Sequence, residues 1–125
     1  MLPQQYRLKH FRDFDTLYKE GQFAGADVVT VKYWKIDTSR FPKREYKADD
    51  LKIGFVVGTK VHKSAVKRNR LKRQMREVVR LLLLEEKIQP GFLVVFMAKK
   101  EMLEQPYEKI EQSLVYLLKR ARLLR

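Results

Sequence analysis

The sequence predicts an α+β fold, a single-domain α-β-β-β-α-β-α sandwich in which a four-stranded sheet packs with helices. Three observations carry this. Two stretches, residues 27–37 and 51–58, alternate apolar and polar side chains as half-exposed strands do. A third, FLVVFMA at 92–98, is apolar throughout, as in a central strand covered on both faces. Between and around them, residues 11–20, 64–84 and 106–123 repeat apolar residues at helical spacing. A chain of 125 residues suits one domain, taken as 1–125.

Taken in order, residues 1–10 read as an extended N-terminal arm. Phe11, Phe14, Leu17 and Tyr18 form one face of a short helix, which Gly21 stops. On spacing alone such aromatics belong to a core more often than to a ligand platform. Residues 22–26 fit a short strand or a turn. In 27–37, Val29, Val31 and Tyr33 share one face and Val28, Thr30, Lys32 and Trp34 the other. Residues 38–50, with Pro42 and mixed charge, are expected to form a mobile loop. In 51–58, Ile53, Phe55 and Val57 oppose Gly54, Val56 and Gly58, and the glycines leave bare backbone that another chain or a nucleotide could approach.

Ser64 is placed to cap the helix that follows. Leu71, Met75, Val78, Val79 and Leu82 make its apolar stripe. Asn69, Lys72, Arg73, Arg76 and Arg80 share the opposite face, with Arg70 at its edge and Arg68 expected at the border of helix and sheet. The run Leu81–Leu84 implies deep burial or contact with another element. Pro90 and Gly91 end the next loop, and Pro106 suits the first turn of the last helix, whose buried side is marked by Ile110, Leu114, Leu117 and Ala121. The strand-helix-strand order from Val57 to Leu93 implies a crossover, right-handed by default.

Charge is concentrated. Residues 60–80 hold nine Lys or Arg and one acid, Glu77, a net +8 out of +13 for the chain. Such clustering points to a polyanion-binding surface. Lys60, Lys63, Lys67, Arg68 and Arg70 crowd a helix N-terminus, where the dipole is already positive. A bound anion relieves that conflict, because backbone N–H groups, dipole and side chains then act on one phosphate cluster. The competing reading is a solvated basic face, a poor use of repelling charges.

The catalytic inventory is thin. His10 and His62 have no metal-ligand spacing, Asp49-Asp50 reads as a solvated loop pair, and no phosphate-cradling glycine loop or nucleophile-base pair occurs. No catalytic or metal-binding residue is assigned. The chain has no cysteine, so disulfides and thiolate metal sites are excluded, compatible with the cytoplasm. It also shows neither a signal-peptide pattern nor a membrane-length apolar run, and the basic helix needs its apolar stripe for the core, so no membrane partner is expected.

The run I53-G-F-V-V-G-T-K-V-H-K-S-A-V-K-R-N-R-L-K-R-Q-M-R-E, with Arg68-Asn69-Arg70 at its centre, resembles the signature of the bacterial ribonuclease P protein subunit. Y-R-L-K, F-R-D-F and Y-K-E-G near the N-terminus resemble the start of that family, and the similarity extends from Tyr6 to Leu123. Gly58-Thr59-Lys60 departs from the Ser-Lys-Lys often found there, and the linker 38–50 is somewhat long. The resemblance implies a ribosomal protein S5 domain 2-like fold with a left-handed crossover. It also implies a ribonucleoprotein endoribonuclease that removes the 5′ leader of precursor tRNA. There a large RNA cleaves with Mg2+ bound mainly by that RNA, and one protein per RNA is expected. By position, Lys60, Lys63, Lys67, Arg68, Asn69, Arg70, Lys72, Arg73, Arg76 and Arg80 would bind the ribonuclease P RNA. Phe14, Tyr18 and Tyr33, with Lys60, would line a cleft for the leader. The alternatives from the residues alone are a non-enzymatic ribosomal-type RNA-binding protein and, less suited to the scattered acids, a nuclease with its own metal site.

Overall fold

A computed structural model describes residues 2–40 and 46–125. Helix α1 (Phe11–Glu20) is followed by strands β1 (Gln22–Gly25), β2 (Val29–Lys35) and β3 (Leu51–Val56), the long helix α2 (Ala65–Leu84), strand β4 (Phe92–Ala98) and helix α3 (Tyr107–Arg120). Short 3-10 turns at Gln4–Tyr6 and Lys100–Glu104 complete the order. The α-β-β-β-α-β-α order expected from periodicity is the one observed, and of residues 22–26 the first four form a strand.

The sheet runs β1-β2-β4-β3. β4 pairs antiparallel with β2 and parallel with β3, so α2 serves as the β3-to-β4 crossover. Central position explains the unbroken apolar run of β4: Leu93, Val94, Val95 and Phe96 are all fully buried, alternately toward the two faces.

The two faces are covered unequally. Val29, Val31, Ile53, Val94 and Phe96 pack with Leu71, Met75, Val78 and Val79 of α2 and Ile110, Leu114, Leu117 and Leu118 of α3 in the main core. On the other face Leu17 of α1 joins Leu8, Ile36, Leu93 and Val95 in a smaller cluster. Phe14, Trp34, Tyr46, Val56 and Met97 pack against its margin, only partly buried. One short helix cannot cover a four-stranded sheet, and part of this face stays open.

Several expectations are corrected. The N-terminal arm, expected to be extended, contains the turn at Gln4–Tyr6 and is docked: Leu2 and Leu8 are buried, Leu8 N–H donates to the Ile53 carbonyl at 3.1 Å, and Arg7 forms a parallel bridge with Ile53. The outer edge of β3 is thereby capped, which protects an otherwise unpaired strand edge. The backbone of Gly54 is not bare, since a methyl group there would lie 3.1 Å from the Phe14 ring and 3.2 Å from Leu8. Gly58 does face open space. Of the two readings of the Leu81–Leu84 run, contact with another element holds and deep burial does not: Leu82 and Leu83 pack partly on the core, whereas Leu81 and Leu84 are exposed. Pro106 caps α3 from outside rather than entering its first turn.

Of the 38–50 loop, residues 41–45, including Pro42, lie outside the described residues. The flanking parts are anchored. Arg40 pairs with Glu20 of α1, the Tyr46 hydroxyl donates to the buried carboxylate of Asp13, and the Tyr46 ring lies 5.7 Å from that of Trp34. Among the described residues no helix is long and apolar enough to cross a membrane.

Candidate nucleic-acid interface

Helix α2 begins at a built entrance. Ser64 Oγ accepts from the Lys67 N–H at 3.4 Å, the side-chain cap that its position predicts. The His62 Nδ1 accepts from the Ser64 N–H at 2.8 Å. Arg68 Nη1 donates back to the carbonyls of His62 at 2.9 Å and Lys63 at 2.8 Å. Arg68 is half-buried, at the helix-sheet border where its helical angle puts it, and it fixes the turn before α2. Lys60, Lys63 and Lys67 project from that turn, exposed.

The remaining cations divide around the helix. Asn69 and Arg73 are exposed on the outer face. Lys72 and Arg76 lean toward the N-terminal segment and line a groove of about 350 Å³ with Phe14, Gly54, Phe55, Arg7 and Leu8. Arg70 and Lys67 flank a separate groove with His62, Leu71 and Glu104. Arg80 is engaged with Glu77, its Nε and Nη2 donating to the two carboxylate oxygens at 3.0 and 2.6 Å. The hydrogen bond from Arg80 holds the Glu77 carboxyl below its ordinary range and raises the guanidinium in turn. Arg80 is therefore the member of the row already paired within the helix.

The aromatic residues proposed for one cleft do not all meet. Phe14 and Tyr18 do, with ring centroids 6.5 Å apart. Lys32 lies 5.5 Å from the Tyr18 ring centre and donates to the Tyr18 carbonyl at 3.1 Å. Tyr33 points the other way and packs on the main core with Val29 and Val31. The strand period of two separates it from Lys32 and Trp34. Lys60 lies in the turn before α2 rather than among the residues lining the Phe14 groove.

Pairing between strands supplies residues that the linear sequence does not group. Register sets Lys32 beside Val95 and Gly54, and Thr30 beside Met97 and Val56, with Phe23 of β1 opposite Lys32. Phe23 is 61% exposed. A platform of Phe23, Lys32, Val56 and Met97 thus extends the Phe14–Tyr18 wall across the open sheet face. Rings, a cation and bare apolar surface suit stacked single-stranded bases. The alternation in β2 had already put Lys32 on this face; its neighbours required the register.

No group of three or more His, Asp or Glu among the described residues could hold a metal ion. Asp50 accepts from the Lys47 N–H within its own turn. The His62 ring is likewise occupied at the helix entrance.

Comparison with known proteins identifies the family. The family model described as Ribonuclease P matches residues 2–122. A ribonuclease P protein component from a Synechococcus strain is 34% identical, over 99% of this chain and 87% of its own length. One from a Picosynechococcus strain is 37% identical, over 94% and 90%. Among solved structures, the Staphylococcus aureus RNase P protein superimposes with a TM-score of 0.77 at 25% identity, covering 96% of this chain and 98% of that one. The Thermotoga maritima RNase P protein gives 0.74 at 29%, covering 91% and 96%. With the family model matching residues 2–122 and relatives 34% and 37% identical over most of both chains, the chain belongs to the ribonuclease P protein family.

Proposed function

We propose that this protein binds the catalytic RNA of ribonuclease P through α2 and holds the 5′ leader of precursor tRNA against the face bearing α1. The observation that carries this is one groove shared by the Phe14 ring, the Gly54 backbone and the cations Lys72 and Arg76. A strand stacked on Phe14 and Tyr18 lies next to the helix that neutralises the larger RNA, so one rigid body positions both. Stacking contributes roughly 1–3 kcal/mol per base without reading sequence.

Endonucleolytic cleavage then belongs to the RNA, and the protein's part is electrostatic and positional. Mg2+ supplies charge neutralisation and an activated nucleophile at the scissile phosphate when bound, held mainly by RNA oxygens. The exposed polar residues of α2 are Lys67, Asn69, Arg70 and Arg73, a donor set for phosphates rather than for a hard metal ion. Lys60, Lys63, Lys67, Arg70 and Arg73 neutralise closely spaced phosphates, which lowers the Mg2+ concentration needed to assemble enzyme and substrate, and the Asn69 amide adds a neutral donor. One protein per RNA, acting in the cytoplasm, suffices for this role.

The test is cleavage of a precursor tRNA by a bacterial ribonuclease P RNA at low Mg2+, with and without the protein. Restored cleavage that Arg73→Ala weakens supports the reading. Absence of rescue with a well-folded RNA of matched type points to a ribosomal-type RNA-binding protein, and cleavage without RNA overturns the assignment of chemistry to the RNA.

A further inference from the structure

We infer that the docked N-terminal segment and the outer strand β3 form a second phosphate-binding surface, which takes the part of the single-stranded leader lying beyond the Phe14 groove. The inference rests on the leader reading above. It starts from a second groove, of about 400 Å³, on the far side of the N-terminal segment from α2, lined by Arg7, Lys9, His10, Arg12 and Lys52 with Asp13 and Asp50.

Its charges are unequally committed. Asp13 accepts from the Tyr46 hydroxyl and Asp50 from the backbone of Lys47, so both acids are occupied by internal donors. Arg7, Lys9 and Lys52 make no ion pair among the described residues. Arg7 uses Nε on the Leu2 carbonyl at 2.8 Å, and Lys52 Nζ donates to the Gln5 carbonyl at 2.8 Å. These contacts fix where the cations stand while leaving guanidinium and ammonium hydrogens for a ligand. The segment that carries them is held by buried Leu2 and Leu8 and by the backbone bond to Ile53. A flexible basic tail would lose entropy on binding, but this surface is already ordered.

Continuity identifies the ligand. Arg7 and Lys9 line both grooves, so cations follow one another from Arg76 and Lys72, past Phe14, to Lys9 and Lys52. A strand leaving the α2 end of the first groove and passing Phe14 emerges over Lys9. Cations dominate this lining, and contact through them reads phosphates rather than bases, so it is independent of leader sequence.

The experiment measures affinity of the assembled protein-RNA enzyme for precursor tRNAs with a short leader, ending within the Phe14 groove, and with a long one, at several salt concentrations. The variant Lys52→Ala, at a cation that lines the second groove and not the first, is compared with wild type. Expected is a roughly three- to tenfold loss for the long leader, its salt slope reduced by about 0.7 per lost phosphate contact, and a much smaller change for the short leader. Lys52→Gln, which keeps a donor for the Gln5 carbonyl but loses the charge, is expected to give the same leader-length dependence. Equal loss at both lengths, weakened binding of the catalytic RNA itself, or no loss would overturn the inference. Failure of the underlying leader reading is recognised separately, by wild-type enzyme that shows no dependence on leader length at all.

Discussion

The guanidinium of Arg68 spans the entrance of α2, bonded through one nitrogen to the carbonyls of both His62 and Lys63. Its position in the basic cluster suggests a phosphate contact, but the structure gives it first an architectural part: it sets the turn from which Lys60, Lys63 and Lys67 project. Arg73, one helical turn and a half further on, is exposed and makes no such bond among the described residues.

Arg68→Ala and Arg73→Ala are therefore expected to differ in kind. Charged hydrogen bonds to the two carbonyls contribute on the order of 1.5–3 kcal/mol, so Arg68→Ala lowers thermal stability as well as RNA affinity. Arg73→Ala leaves the melting temperature nearly unchanged and reduces the salt slope of RNA binding by roughly 0.7–0.9. Melting curves together with binding isotherms at varied salt separate the two; equal melting temperatures would refute the architectural part of Arg68.

Glu77 restrains Arg80. Its carboxyl, held low by the hydrogen bond from Arg80, favours the folded state above the unfolded glutamate pKa of about 4.3, and this contribution is lost as pH falls through the lower folded value. Near neutral pH, Glu77→Gln frees the guanidinium. RNA affinity is expected to rise and its salt slope to steepen by up to about 0.9, which titration at several salt concentrations measures.

Gly54 gives the groove its floor. With a methyl group only 3.1 Å from Phe14, Gly54→Ala displaces the ring rather than unfolding the sheet. Leader-dependent affinity is expected to fall by roughly 1–3 kcal/mol, the contribution of one stacked base, while binding of the catalytic RNA holds. A matching loss in both would place the effect outside the groove.

Gly91 has φ +93 and lies where an added Cβ would meet the Ala48 carbonyl at 2.9 Å. Gly91→Ala should cost about 1–3 kcal/mol in denaturant unfolding. Gly21 differs: its φ of −73 suits any residue, but a Cβ would lie 2.4 Å from the Leu17 carbonyl. It ends α1 by its lack of volume, not by a left-handed turn.

The Tyr107 hydroxyl is buried and has no hydrogen-bond partner among the described residues, and burial raises its pKa. Tyr107→Phe removes an unsatisfied polar group and is expected to leave stability unchanged or improve it. A clear drop in melting temperature would mean that the hydroxyl has a partner in solution.

The sequence by itself determined the elements and most of their faces, because helical and strand periods are local properties of side-chain order. Leu71, Met75, Val78 and Val79 could only be a buried stripe, and the unbroken apolar run of β4 could only be central. The cation row of α2 was equally legible, since helix geometry alone fixes which of its residues share a side. Tertiary structure decided what lies beside what. Tyr33 left the aromatic wall because the sheet buries alternate residues on opposite faces, and Phe23, Val56 and Met97 joined it through strand register. Arg68 and Arg80 were drawn into hydrogen bonds that a charge count cannot distinguish from free cations. Leu81 and Leu84 remained exposed because α3 covers only one side of the end of α2. The N-terminal segment became part of the sheet edge because Leu2 and Leu8 found apolar neighbours distant in sequence. Those pairings depend on the closure of the whole chain, and no local period encodes them.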